Sequence, residues 1–167
     1  EVSGCSEETV NVFLESAFFT PTSIAGRARR YGLQTDASYR FERGVDPQLQ
    51  HRAAERATRL LLDIAGGQPG PIIEAVAPEF LPAESAIRLR PERVRLLLGL
   101  DIPAAEIEDI LRRLGMAVAV EVHHWLVVPP SSRFDIRLEV DLIEEIARVY
   151  GYDRLPGIRS LTRLEMP

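Results

Sequence analysis

Lysine is absent from this sequence, so arginine supplies all 20 of its basic side chains. Cysteine occurs once, as Cys5, which excludes an internal disulfide and fits a reducing compartment. With only His51, His123 and His124 beside it, a structural zinc site lacks its ligands. Long apolar runs are missing too. Leu60–Leu62 and Leu96–Leu98 are far shorter than the roughly 20 residues that cross a bilayer, and no basic-then-apolar leader stands at the start. The expectation is a cytoplasmic protein with no membrane contact. The 25 acidic side chains outnumber the basic ones and give a net charge of -5, so the chain as a whole is no obvious nucleic-acid binder.

What is present is the composition of a globular protein, with 46% hydrophobic and 27% charged residues over 167 positions, room for one ordinary domain or two small ones. The first nine polar residues read as a frayed end cut from something larger. Val10, Val12 and Leu14 alternate with Asn11, Phe13 and Glu15, the period of a strand, largely apolar on both faces and so interior. Glu15 breaks that pattern and reads either as a salt-bridge partner of a nearby arginine or as a ligand contact. Thr20-Pro21 opens a helix that Gly32 stops. Arg27, Arg29, Arg30, Arg40 and Arg43 gather in the first quarter of the chain. Cations near a helix C-terminus are favoured by its dipole, so a stabilising role competes with phosphate binding.

The stretch Gly32–Pro47, GLQTDASYRFERGVDP, sets small polar residues beside alternating aromatics and charges, which core packing alone would not ask for. It reads as a loop or short irregular helix where a ligand has room and Arg40 and Arg43 can meet phosphate. Asp46-Pro47 then starts the strongest helix, with Ala53, Ala54, Ala57, Leu60, Leu61 and Ile64 on one stripe ended by Gly66-Gly67. Pro71–Val76 reads as a short strand.

Pro78–Pro82 is the expected linker, after which the pattern starts afresh. Ile87–Arg90 alternates as a strand. Pro91 and Pro103 each begin a helix, ended by Gly99 and Gly115, and Ala117–Val122 and Trp125–Val128 form a hairpin about a tight His123-His124 connection. A last helix carries Asp141, Glu144 and Glu145 at i, i+3 and i+4, on one side. With Asp135 nearby, these oxygens suit magnesium better than zinc. The competing reading is a solvated face neutralised by Arg137 and Arg148.

The wording of GLQTDASYRFERGVDP and of RFDIRLEVDLIEEIARVYGYDRLP (Arg133–Pro156) resembles the bacterial phenylalanyl-tRNA synthetase beta chain, and the likeness runs from about Val10 to about Pro156. It implies an α+β fold, a truncated α/β editing domain followed by a small winged-helix-like β-α-α-β-β-α domain. The implied boundaries are 1–77 for the editing part, 78–84 for the linker, 85–157 for the small domain and 158–167 for the connection onward. The resemblance also implies an aminoacyl-tRNA synthetase that joins phenylalanine to tRNA(Phe) and hydrolyses mischarged Tyr-tRNA(Phe). ATP is bound elsewhere in an alpha2beta2 assembly, and the isolated piece is expected to be inactive. By the family's motifs, Glu15 recognises the tyrosyl hydroxyl and Thr35 and Ala37 line the editing pocket. Asp135, Asp141, Glu144 and Glu145 hold a magnesium ion shared with the alpha subunit. Specific DNA binding is not expected, since the second short helix mixes Glu106, Glu108 and Asp109 with Arg112 and Arg113. The alternative is a non-catalytic RNA- or protein-binding module that reuses these domains.

Overall fold

A computed structural model describes residues 4–83 and 85–157. The chain divides into two units, Glu1–Ala83 and Glu84–Pro167. The expected onward connection at 158–167 lies outside the described residues. The described chain is mixed helix with one small three-stranded antiparallel sheet, an α+β composition.

The first unit is helical. Pro21–Ile24 (α1) and Arg27–Arg30 (α2) are single turns, where the sequence had suggested one helix from Thr20 to Gly32. The break falls at Ala25-Gly26. Gly26 takes φ 76°, a left-handed conformation that no helix interior accepts and that glycine adopts without steric cost. Asp36–Arg43 (α3) is a regular helix within the stretch expected to be looped or irregular. Gln50–Ala65 (α4) is the long helix, ended by Gly66 at φ 71°. It begins later than Asp46-Pro47 suggested, because Asp46 caps a preceding turn instead, its Oδ1 accepting from the Gln48 N–H at 2.9 Å. Gln50 Nε2 then donates to the Asp46 carbonyl at 2.8 Å.

Neither expected strand of this unit forms: residues 10–14 and 71–76 lie in no helix or strand and have no ladder partners among the described residues. A period of two makes a strand only when a neighbour supplies the other half of its hydrogen bonds. The same lack shows in burial. No described residue up to Ala83 is fully buried; Val10, Phe13, Ile64 and Ile73 are 83–90% exposed.

The second unit is better packed. Ile87–Leu89 (β1) leads to Pro91–Leu98 (α5), Ala104–Arg113 (α6), the strands Ala117–Val120 (β2) and Trp125–Val128 (β3), and Glu139–Tyr150 (α7). β3 lies in the middle of the sheet, with β1 and β2 antiparallel on either side and Val127 opposite both Ile87 and Val118. The hairpin turn is looser than the His123-His124 pair suggested: four residues, Glu121–His124, connect the strands, closed by Glu121 N–H donating to the His124 carbonyl at 2.9 Å.

The core sits where α5, α6 and α7 close over one face of this sheet. Leu89, Val94, Leu111, Val127, Leu142 and Ile146 are its most deeply buried side chains. In α7 the buried positions Leu142, Ile143, Ile146 and Ala147 follow the helical repeat, so the helix packs against β1, α5 and α6 while its other side stays wet. Gly99 stops α5 at φ 71°, with Pro156 close against the position a side chain would take.

Candidate functional site

Two groups of candidate residues lie in separate units. In the first unit, Thr35 caps α3. Its Oγ1 accepts from the Ser38 N–H at 3.1 Å, while Ser38 Oγ accepts from the Thr35 N–H at 3.2 Å and donates to the Thr35 carbonyl at 2.8 Å. This reciprocal cap satisfies backbone groups that a helix start leaves orphaned. Ala37 lies in the first turn that follows, exposed, with only a methyl group to occupy the space beside it. The local sequence T-D-A-S therefore brings Thr35 and Ala37 together at one helix end.

α3 is held in place by neighbours from the preceding segment. Phe41 meets Phe19 edge-on with ring centroids 5.0 Å apart, and Glu42 Oε1 accepts from the Gly26 N–H at 3.0 Å. Arg43 stacks over the Tyr39 ring, its guanidinium carbon 3.5 Å from the centroid. So one of the two arginines singled out as phosphate contacts is engaged by an aromatic face. Glu15 is exposed on the irregular segment before α1 and forms no ion pair among the described residues, which removes the salt-bridge reading here. No hydrogen bond joins it to Thr35 or Ala37.

In the second unit the four acids are divided among different partners. Asp141 Oδ2 accepts from the backbone N–H groups of Leu138 and Arg137 at 2.8 and 2.9 Å, which caps the start of α7. Asp135 and Glu145 meet on Arg133. Arg133 Nη2 donates to Asp135 Oδ2 at 2.7 Å and to Glu145 Oε1 at 3.0 Å, and Nε donates to Asp135 Oδ1 at 2.9 Å. Arg148 Nη2 donates to the other Glu145 oxygen. Glu144 is exposed, with no hydrogen bond or ion pair among the described residues.

These bonds shape the ionisation of the cluster. Hydrogen bonds from Arg133 and then Arg148 hold the Glu145 carboxyl below its ordinary range, and Arg133 does the same for Asp135. The Arg133 guanidinium is pushed further above its usual value by Asp135 and then Glu145. Beside this group, Glu139 Oε1 accepts from both the Arg90 N–H at 2.9 Å and Arg90 Nε at 3.0 Å, and Oε2 accepts from Nη2 at 2.6 Å. Arg90 accordingly holds the Glu139 carboxyl low.

Magnesium needs several oxygens around one point at roughly 2.0–2.1 Å. Its chemistry suits carboxylates, but three of these four carboxylates are committed to arginine or backbone donors, and a guanidinium lies between Asp135 and Glu145. Among the described residues no three His, Cys, Asp or Glu side chains are gathered to hold a metal. In this arrangement the cluster does not fit the ion. The sequence pointed to Arg137 as a neutralising partner, yet its Nε donates to the Phe134 carbonyl at 3.1 Å, and Arg133 takes the role. Arg133 stands 12 residues before Glu145 and on a loop, so no helical spacing could have found it.

The comparisons with known proteins agree with this division. Residues 1–66 match the model of the B3/4 domain, and residues 87–152 match that of the tRNA synthetase B5 domain. The phenylalanine–tRNA ligase beta subunit of Methylococcus capsulatus is 60% identical over 159 residues, which is 95% of this chain and 20% of that protein. Those of Yersinia pestis and Dickeya dadantii are 56% and 55% identical, over 95% and 99% of this chain. The chain spans about a fifth of the length of these relatives, 20% to 21%. It belongs to the family of phenylalanine–tRNA ligase beta subunits, as a stretch in which a B3/4 domain is followed by a tRNA synthetase B5 domain.

Proposed function

We propose that the protein containing this stretch works in the cytoplasm as the beta subunit of a phenylalanine–tRNA ligase. With an alpha subunit, in an alpha2beta2 assembly, it joins phenylalanine to tRNA(Phe) at the expense of ATP bound outside this stretch. The observation that carries the reading is 60% identity over 95% of the chain to a protein of that name. In the same reading, 1–77 is the end of an editing domain, 78–84 a linker and 85–157 a winged-helix-like module that contacts other parts of the assembly. The element order of the second unit, strand, two helices, hairpin and helix, is consistent with that module.

For editing, the chain offers a recognition surface rather than a nucleophile. Glu15 accepts a hydrogen bond from the hydroxyl of a tyrosyl group, which phenylalanine lacks. A site that hydrogen-bonds a hydroxyl discriminates far better than an apolar pocket that must reject one. The cap at Thr35 fixes the start of α3, and Ala37 leaves space for the ring and the tRNA end. A water molecule attacks the ester carbonyl, the bond to the ribose oxygen breaks, and tyrosine leaves with the proton returned to the ribose hydroxyl. Correct holding of ester and water supplies the rate. Magnesium at Asp135, Asp141, Glu144 and Glu145 belongs to the family resemblance. The arginine-paired arrangement offers it no shell.

The test is deacylation of Tyr-tRNA(Phe) by the full-length beta chain with its alpha partner. Glu15→Ala and Thr35→Trp are expected to slow hydrolysis by roughly 10- to 100-fold while phenylalanine charging is kept. Thr35→Ser, which retains the cap, is expected to act as wild type. Unchanged hydrolysis in both disruptive variants would remove the pocket assignment and favour a binding module.

A further inference from the structure

The carboxylates around α7 already have a cation. Arg133 lies on the loop between β3 and α7 with only 27% of its side chain exposed, and its guanidinium grips Asp135 through two nitrogens while one of them also reaches Glu145. Arg148 closes on the remaining Glu145 oxygen from the next turn of the helix. Glu145 is itself only 9% exposed, so it is desolvated and must be neutralised by something. A planar fork of fixed donors satisfies two carboxylates at once, which a hydrated point charge does only after shedding water.

We infer that Arg133 is the resident cation of this cluster, so that the chain holds Asp135 and Glu145 by a guanidinium where the family resemblance would put a divalent ion. The two cations compete for the same oxygens. An ion that enters between Asp135 and Glu145 must displace Arg133, and displacing it unpins the loop that leads into α7. Metal entry and release of this loop are therefore thermodynamically linked. The inference rests on the geometry of the second unit alone and stands whether or not the enzymatic reading does.

The probe is Mn2+, followed by the electron paramagnetic resonance signal of the free ion as it is titrated into the 167-residue chain. Wild type is expected to show no saturable binding below millimolar Mn2+. Arg133→Gln is expected to bind at least roughly tenfold more tightly, and Arg133→Lys, which keeps the charge, as weakly as wild type. Equal affinity in wild type and Arg133→Gln overturns the inference, whether both bind or neither does. A second measurement needs no variant and so does not depend on one folding. In wild type the Arg133 Nε–H resonance should stay sharp and unshifted as Mg2+ is raised into the millimolar range, and its loss at micromolar Mg2+ also overturns the inference.

Discussion

Glu139 satisfies three donors with two oxygens, two on the Arg90 side chain and one on its backbone. The backbone N–H is the costly one, because Arg90 sits between β1 and α5 and water does not replace a well-placed acceptor without loss. Glu139→Ala is expected to destabilise the second unit by about 1 kcal/mol. Urea unfolding followed through Trp125, buried at 4% exposure, would measure it. Glu108 offers a comparable case. One of its oxygens accepts from Trp125 Nε1 at 3.0 Å and the other from Arg112 at 3.0 Å. Glu108→Leu leaves the indole N–H unpaired and should lower stability by roughly 1–2 kcal/mol, while Glu108→Gln should recover most of that. Sequence showed only half of this. The i, i+4 pair of Glu108 and Arg112 is visible as spacing, whereas Arg90 with Glu139 and Arg133 with Glu145 are joined by the fold across 49 and 12 residues.

Among the elements, the helices of the second unit were legible because each carries its own punctuation. Proline at the start and glycine at the stop frame α5, and the apolar repeat of α6 reappears as its buried face, Ile107, Ile110 and Leu111. Leu142→Ala removes a fully buried side chain in the first turn of α7 and is expected to cost about 3 kcal/mol in the same urea experiment. Gly99→Ala places a β-carbon 3.1 Å from Pro156 at positive φ and should cost about 1 kcal/mol. The elements of the first unit were read less well for an equally physical reason. The alternation at Val10–Leu14 is a real pattern, but a strand is a relation between two segments, and no second segment pairs with it among the described residues. The α3 cap could have been found: T-x-x-S before an alternating run is a capping signal, and the mixture of aromatics and charges obscured it.

At the scale of the whole chain, the two units differ in what holds them. The second has a continuous core from Ile87 to Ile146, while the described residues of the first bury none of their side chains fully. Amide hydrogen exchange on the 167-residue chain should therefore show strong protection in β3, α6 and α7 and almost none in residues 10–83, α4 included. Comparable protection in α4 would refute this contrast. The absence of lysine gives the contrast a practical edge. Trypsin has only arginine to cut at, and the first unit presents Arg27, Arg29, Arg30, Arg40, Arg52, Arg56 and Arg59 in the open. Digestion should strip that unit within its first moments and leave the second as a lasting core, so a preparation kept with traces of protease would come to consist of the B5 segment alone.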